Sequence, residues 1–348
     1  MKDIVIGSNL ISQDRPPVVV AELSANHGGR IERALETISA AKKAGAHAIK
    51  LQTYSPETMT IDCDLDDFII NEGLWAGYKL YDLYKEAQTP FEWHKQMFEH
   101  ARNIDITCFS TPFDESAVDL LENLGVPAYK IASFEVTDLP LIKYVASTKK
   151  PMILSTGMAN YEEIEEMVQT ARDGGCADII VLHCISSYPA PVDQSNLMTI
   201  PDLRKKLGVH IGLSDHSLTN TVSVAAIALG AVMVEKHFVV DREEVGPDTP
   251  FSIDPKDLQC LVRETKEAFL SLGHAGYDQK PAEKQNIKFR RSLYFVENLP
   301  AGAIVTASSI RRIRPGYGAA PKLFDIVIGK KLKKSVLKGT AVDFNLFE

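Results

Sequence analysis

The sequence predicts a (β/α)8 barrel of the TIM type, followed by a small second domain. Eight apolar strands alternate with helical segments over about 260 residues, which is the size of such a barrel. The strands are continuously apolar, as expected for a parallel sheet that is covered on both faces. A doubly wound open sheet is the alternative, but no Gly-x-Gly-x-x-Gly follows the first strand.

The predicted elements follow one another in a regular order. Residues 1–12 alternate weakly and predict a short hairpin. Strands are predicted at 17–22, 47–53, 105–111, 129–133, 152–155, 178–185, 209–214 and 231–237. Helices are predicted at 31–45, 114–124, 139–147, 161–172, 198–207, 219–230 and 255–272, and one more follows residue 89. Asp114 and Asn160 are placed to cap two of these helices, and Glu163 completes a capping box with Asn160.

Two segments interrupt the alternation. Residues 54–89 form a long insert that contains Trp75, Tyr78, Tyr81 and Tyr84. On the carboxyl face of a barrel such an insert is typical of a lid or substrate wall, although a plain packing excursion is the alternative. Residues 274–288 are polar and resemble a linker, which divides the chain into a barrel at 1–273 and a small domain at 289–348.

Charge is distributed unevenly along the chain. Residues 289–348 contain eleven Lys or Arg and four Asp or Glu, a balance of +7, so the rest carries −15 of the total of −8. A basic tail on an acidic body indicates docking onto an acidic surface or an anionic ligand. We do not expect nucleic acid binding, because the basic residues are not interleaved with aromatic residues that could stack on bases. Five cysteines without paired spacing, and no apolar run long enough for a membrane span, predict a reduced, cytoplasmic protein.

Two histidines follow neighbouring predicted strands. His216 lies in the segment Ser-Asp-His, and His237 lies in Glu-Lys-His at the end of the next strand. Parallel strands end on one face, so both imidazoles are candidates to bind one ion of Mn, Fe, Co or Zn, with water or substrate oxygens in the remaining positions. The alternative is that both are hydrogen-bonded core histidines.

Other polar residues also fall at strand ends. Lys50 and Lys130 would be costly to bury without an anion, and Ser155-Thr156-Gly157 opens towards a helix amino terminus. These features predict a phosphate or carboxylate site beside the metal, although either lysine alone could form a structural salt bridge. The set of strand-end residues is Glu22, Lys50, Gln52, Thr111, Lys130, Ser133, Glu135, Ser155, Ser186, Tyr188, Ser214, His216 and His237.

Several segments together resemble the sialic acid synthase family. In the barrel region they are Ala21–His27, Ile49–Tyr54, Ser110–Phe113, Tyr129–Ser133, Leu154–Met158, the Ser-Asp-His and Glu-Lys-His segments, and Gly246–Asp248. The tail segments 290–293 and 310–316 resemble the antifreeze-like (SAF) domain that those enzymes carry. Within the family, segments 71–75, 80–84 and 89–93 look most like the pseudaminic acid branch.

The resemblance implies a transferase that condenses phosphoenolpyruvate with an N-acylated amino sugar, releasing phosphate and forming a nine-carbon 2-keto acid. It implies a divalent metal, Mn2+ or Mg2+, on His216 and His237, and a domain-swapped homodimer without nucleic acid or membrane partners. Matching positions for phosphoenolpyruvate are Lys50, Thr111, Lys130, Ser133, Ser155 and Ser214. Glu22, Glu135, Tyr188 and Asp248 match sugar-facing or proton-handling positions, and Arg314 matches an arginine that reaches the sugar from the tail of the partner subunit.

One position departs from the family pattern. Ser186 stands where N-acetylneuraminate synthases have Asn, which fits a different sugar. Two other functions remain open from the sequence, a metal-dependent aldolase that uses pyruvate and a sugar-binding barrel without catalysis. Both histidines and both lysines are present, which disfavours the second.

Overall fold

The computed structural model describes all 348 residues and divides into two compact units, Met1–Gly273 and His274–Glu348. The first unit opens with an antiparallel hairpin, β1 (Ile4–Ile6) and β2 (Asn9–Ile11), as predicted. A closed barrel of eight parallel strands follows, which confirms the predicted fold class. Its strands are β3 (Val18–Glu22), β4 (Ala48–Thr53), β5 (Thr107–Pro112), β6 (Tyr129–Ile131), β7 (Met152–Ser155), β8 (Ile179–Cys184), β9 (His210–Ser214) and β10 (Met233–His237).

The barrel closes by pairing its last strand with its first. Strands β3 to β10 are neighbours in sequence order, and β10 then pairs with β3 so that His237 lies opposite Glu22. The hairpin residues Ile4, Ile6 and Ile11 pack with the inward-facing residues near the strand starts. One end of the barrel is therefore filled with apolar side chains, which leaves the carboxyl ends of the strands for polar groups.

Helices cover the outside of the barrel, except for two short ones that belong to the insert 54–89. In chain order they are α1 (Ile31–Lys43), α2 (Pro56–Met59), α3 (Leu80–Ala87), α4 (Phe91–Asn103), α5 (Glu115–Leu124), α6 (Leu139–Ser147), α7 (Tyr161–Asp173), α8 (Thr199–Leu207), α9 (Thr221–Ala228) and α10 (Pro255–Leu272), and the two in the insert are α2 and α3. The predicted caps are present: the Asp114 carboxylate accepts from two backbone N–H groups of α5, and Asn160 and Glu163 form a capping box on α7. Between strands and helices lies one continuous apolar layer that buries residues such as Ile38, Met97 and Val181.

Alternation along the strands decides which residues face the barrel interior. On β10, Met233 belongs to the interior cluster, whereas Val234 packs in the outer layer against the helices. Since side chains alternate along a strand, Glu235 and His237 share the inward face with Met233, and Lys236 faces outward. The same period places the polar residues of the other strand ends inside the barrel mouth.

The second unit has its own small core. It contains β11 (Ser292–Phe295) paired with β12 (Ile310–Ile313), and the short helix α11 (Phe324–Val327). Leu293, Phe295, Val305 and Leu332 are buried together there. The segment predicted as a linker contains the start of a 3-10 helix, Pro281–Phe289, and all of its side chains are exposed. No helix of either unit combines the length and the hydropathy needed to cross a bilayer.

Candidate active site

Two lysines and two glutamates meet inside the barrel mouth. The Lys50 Nζ lies 2.6 Å from a Glu22 carboxylate oxygen and 3.4 Å from Glu235, and Lys130 Nζ lies 3.6 Å from the same Glu235 oxygen. All four residues are at most 5% exposed. Thr111 Oγ1 accepts a hydrogen bond from Lys50 at 3.1 Å. Both lysines thus form buried salt bridges, the structural alternative to an anion site, and both salt bridges belong to one cluster.

Serine hydroxyl groups lie beside the lysines and glutamates. Ser214 Oγ donates to the Glu235 carboxylate at 3.4 Å, and Ser186 Oγ donates to Ser133 Oγ at 2.8 Å. The Ser155 Oγ is buried without any hydrogen-bond partner. An unpaired buried hydroxyl is costly, so it favours a ligand oxygen at this position.

Gly157 allows the loop after β7 to approach these serines. Its φ is +50°, and a Cβ there would lie 2.4 Å from the Ser133 Cβ and 2.9 Å from the Ser186 Oγ. Only glycine fits this combination of backbone conformation and close contact. The Ser186 hydroxyl therefore lies beside the serines of the proposed anion site.

The two histidines lie next to each other at the barrel mouth. The ring centroids of His216 and His237 are 5.4 Å apart, and the Tyr188 ring stacks 4.3 Å from His216. The Asp248 carboxylate lies 3.7 Å from His237 Nδ1 and accepts from the backbone N–H of Ala25. Tyr188 and Asp248, both proposed to face the sugar, are thus brought to the same place as the imidazoles.

Burial changes the protonation of several groups. Desolvation raises the pKa of Glu22 to about 7, with a further rise from the charge of Glu235, although Lys50 opposes it. Desolvation also raises the pKa of Glu135 to about 7. The pKa of His237 is lowered well below its usual value by burial and by the positive charges of His216 and Lys50. His237 is therefore neutral at physiological pH and keeps a lone pair for a ligand.

The two histidines alone do not make a complete set of metal ligands. No group of three or more His, Cys, Asp or Glu side chains is arranged to hold a metal. His216 Nδ1 lies 2.9 Å from the Ile185 carbonyl oxygen, an arrangement that leaves Nε2 free when Nδ1 donates. His237 Nδ1 is buried without a hydrogen-bond partner, next to Asp248. Neutral His237 is thus available, whereas the pKa of His216 is, despite burial, raised by its contact with Cys184, so His216 offers Nε2 to an ion only once it has lost its proton. The residues then fit an ion whose other ligands are water or substrate oxygens.

One cavity of about 320 Å3 connects part of this site with the insert. Its lining includes Ser133, Glu135, Tyr188, His237 and Asp248. Gln52 and residues of the insert 54–89, including Trp75 and Tyr84, line it as well. The expectation that the insert forms a wall of the site fits this lining.

Arg314 is the one candidate residue outside the barrel unit. It follows β12 in the second unit and is exposed. All other candidate residues come from the barrel unit, and they lie within its strands or in the loops that follow them.

Glu235 is the principal residue that sequence reasoning missed. It contacts both buried lysines and Ser214, yet only the neighbouring His237 was singled out. The period of two along a strand could have found it, because a residue two positions before an inward-facing histidine also faces inward. Lys236, between them, faces outward and forms a buried salt bridge with Asp215 at 2.8 Å.

Comparison with known proteins identifies the family of this chain. Residues 37–277 match the model of the NeuB family, and residues 290–348 match the SAF domain. The chain belongs to the NeuB family. This membership confirms the resemblance to sialic acid synthases seen in the sequence.

Relatives within the NeuB family are similar over nearly the whole chain. A pseudaminic acid synthase of Campylobacter jejuni is 42% identical over 94% of this chain and 96% of its own length. A pseudaminic acid synthase of Helicobacter pylori is 40% identical, again over 94% of this chain and 96% of its own length. The crystal structure of an N-acetylneuraminic acid synthetase from Leptospira borgpetersenii superposes with a TM-score of 0.74 at 33% identity, covering 83% of this chain and 96% of that one.

Proposed function

We propose that this protein is a pseudaminic acid synthase. It condenses phosphoenolpyruvate with 2,4-diacetamido-2,4,6-trideoxy-β-L-altropyranose and water, and it forms pseudaminic acid and phosphate. The observation that carries the proposal is the position of the buried lysine pair and the histidine pair at one barrel mouth. Identity of about 40% to pseudaminic acid synthases over 94% of the chain supports the choice of sugar.

Phosphoenolpyruvate would bind where the lysines and serines converge. Lys50 and Lys130 supply positive charge, and Thr111, Ser133, Ser155 and Ser214 supply hydroxyl donors for phosphate and carboxylate oxygens. With a pKa of about 7, Glu22 is protonated in part near neutral pH. This partial protonation reduces the negative charge of the cluster, which favours an anion.

The sugar would place its open-chain aldehyde beside His216 and His237. A divalent ion bound there, Mn2+ or Mg2+, would act as a Lewis acid on the aldehyde oxygen. Tyr188 and Asp248 border the same space and would orient the sugar. The Asp248 carboxylate can also orient the His237 ring.

The reaction joins C3 of phosphoenolpyruvate to the aldehyde carbon of the sugar. Water then adds to C2, and the C–O bond to phosphate breaks; the departing phosphate takes the proton of the new C2 hydroxyl, which leaves a 2-keto acid. The Oε2 of Glu135 is buried without a partner, and it would accept the proton of the attacking water. Glu22, with a pKa of about 7, would give a proton to the oxygen of the former aldehyde.

One assay tests this function. The purified protein is mixed with phosphoenolpyruvate, Mn2+ and a panel of N-acylated hexosamines, and free phosphate and product mass are followed. We expect phosphate release that depends on the diacetamido altrose sugar and a product with the mass of pseudaminic acid. Preference for another N-acyl sugar would indicate an N-acetylneuraminate or legionaminate synthase. Turnover with pyruvate would indicate an aldolase, and absence of turnover would indicate a sugar-binding barrel.

The cytoplasmic location and the exchange of tails within a homodimer stay predictions. Five free cysteines support the former. Arg314 offers a test of the latter, because mixing an Arg314→Ala chain with a barrel-inactivated chain restores activity only if subunits share their tails.

A further inference from the structure

The active-site cavity has two chemically different sides. Beside the strand ends lie Ser133, Glu135, His237 and Asp248. The insert contributes the apolar side chains Met59, Ile70, Leu80 and Leu83 to the lining, together with Trp75 and Tyr84. A sugar in this cavity therefore meets polar groups at one end and hydrocarbon at the other.

The apolar side is built into the fold. Residues 69–79 close a small hairpin in which Ile70 exchanges backbone hydrogen bonds with Gly77 and Tyr78. At its tip, the Trp75 indole N–H donates to the Pro247 carbonyl at 3.1 Å, next to Asp248. Lys79 holds the base of the hairpin through ion pairs with Asp62 and Asp64. The insert is thus fixed across the cavity, and the indole N–H already has a partner.

We infer that this apolar wall determines which sugar the enzyme accepts. The wall consists of Met59, Ile70, Leu80 and Leu83, and it selects an acylated amino sugar whose end remote from the aldehyde carries a methyl group in place of a hydroxymethyl group. This inference rests on the proposed function. It adds the residues that contact the sixth carbon of the sugar.

The orientation of the sugar follows from the reaction. Its aldehyde carbon must face the histidine and lysine side chains, since the new carbon–carbon bond forms there. The sixth carbon is at the far end of the chain and therefore faces the insert. A methyl group there replaces water with hydrocarbon contacts, whereas a hydroxyl would lose its hydrogen bonds to water and find no partner on these four side chains.

The size of the effect can be estimated from pockets of this kind. A hydrophobic pocket rejects an analogue with one additional hydroxyl on the order of 100-fold. We therefore expect kcat/KM for the 6-deoxy sugar to exceed that for its 6-hydroxy counterpart by roughly 10- to 100-fold. Of the residues proposed to bind phosphoenolpyruvate, Lys50, Lys130 and Ser155 do not line the cavity that the wall borders, so we expect the KM for phosphoenolpyruvate to be independent of the wall.

The test compares two sugars and three variants. Ile70→Thr and Leu80→Gln add a polar group to the wall, and Ile61→Thr makes the same type of change at an exposed position of the insert, 60% accessible, outside the cavity lining. Phosphate release is measured with both sugars at saturating phosphoenolpyruvate. Circular dichroism melting confirms that each variant is folded.

We expect the wall variants to reduce the preference for the 6-deoxy sugar at least tenfold, and Ile61→Thr to keep it. The inference would be overturned if the wall variants lost the same activity with both sugars, or if the wild-type enzyme used the 6-hydroxy sugar equally well. Either result would leave the synthase function intact. Absence of phosphate release with either sugar in the wild type would instead overturn the proposed function, and the inference with it.

Discussion

The Lys50 ammonium group lies 2.6 Å from Glu22, and both side chains are almost completely buried in the barrel mouth. Glu235 and Thr111 contact the same ammonium. Burial opposes the charge, but the two carboxylates outweigh it and raise the pKa of Lys50. The charge that we propose to bind phosphoenolpyruvate is therefore present and oriented before any ligand arrives.

Replacing Lys50 with Met should affect stability as well as activity. The change leaves Glu22 buried without a cation, and we expect the free energy of unfolding to fall by on the order of 3 kcal/mol. Urea denaturation measures this loss. The double variant Lys50→Met, Glu22→Gln should recover most of the stability, while phosphate release stays absent.

A surface pair provides the control for this experiment. Lys150 and Glu122 form an ion pair at 2.6 Å with both side chains partly exposed. Lys150→Met should lower the free energy of unfolding by less than about 1 kcal/mol. Equal losses at the two positions would show that the buried cluster contributes no more than a surface pair.

Gly157→Ala should weaken phosphoenolpyruvate binding. The added methyl group would push into Ser133 and Ser186, so we expect KM for phosphoenolpyruvate to rise about tenfold, or 1.4 kcal/mol. Gly125→Ala is the matched control, because its φ is also positive, at +70°, and no atom lies within 4 Å of the added Cβ. Steady-state kinetics should show a normal KM in the control, and a normal KM for Gly157→Ala would remove this glycine from the site.

Stability should depend on the ionisation of Glu135. Burial raises its pKa from 4.5 to about 7, so the folded state holds a proton that the unfolded state has released between these values. The stability that this bound proton provides is fully present below pH 4.5 and is lost as the pH rises through 7. We expect Glu135→Gln to gain stability relative to wild type between pH 5 and pH 8 in urea denaturation. A difference in stability that stays constant with pH for Glu135→Gln would argue against the raised pKa.

Removing one imidazole tests the proposed metal ligands. We expect His237→Ala to abolish Mn2+-dependent phosphate release and to retain less Mn2+ after dialysis, with little change in melting temperature. His274→Ala, in an exposed segment of the second unit, should behave as wild type. Near-normal turnover or metal content in His237→Ala would remove this histidine from the metal site.

The fold and the strand-end residues could be predicted because both follow from local patterns. Apolar runs, the Asp114 cap and the capping box of Asn160 are properties of short segments, and the order of strands fixes where their ends lie. His216 and His237 could be paired from neighbouring strands alone. The resemblance to a family then assigned roles that periodicity cannot supply.

The contacts within the site could not be predicted in the same way. Glu235 meets Lys50 only because the barrel closes between β10 and β3, which brings together residues far apart in the chain. Two salt bridges of the cluster thus depend on tertiary structure. In the insert, no regular spacing reveals that Ile70 or Leu80 faces the cavity, since short turns and a hairpin replace the periodic elements.

Because Lys236 faces outward between two inward-facing residues, β10 is sensitive to insertions and deletions. Deleting or adding one residue earlier in β10 would turn that ammonium into the mouth and move Glu235 and His237 to the helix side, so we expect a register shift in this strand to abolish activity. The insert lies outside the barrel strands and can lengthen or shorten without shifting their register, and new sugar preferences within such enzymes should arise there first.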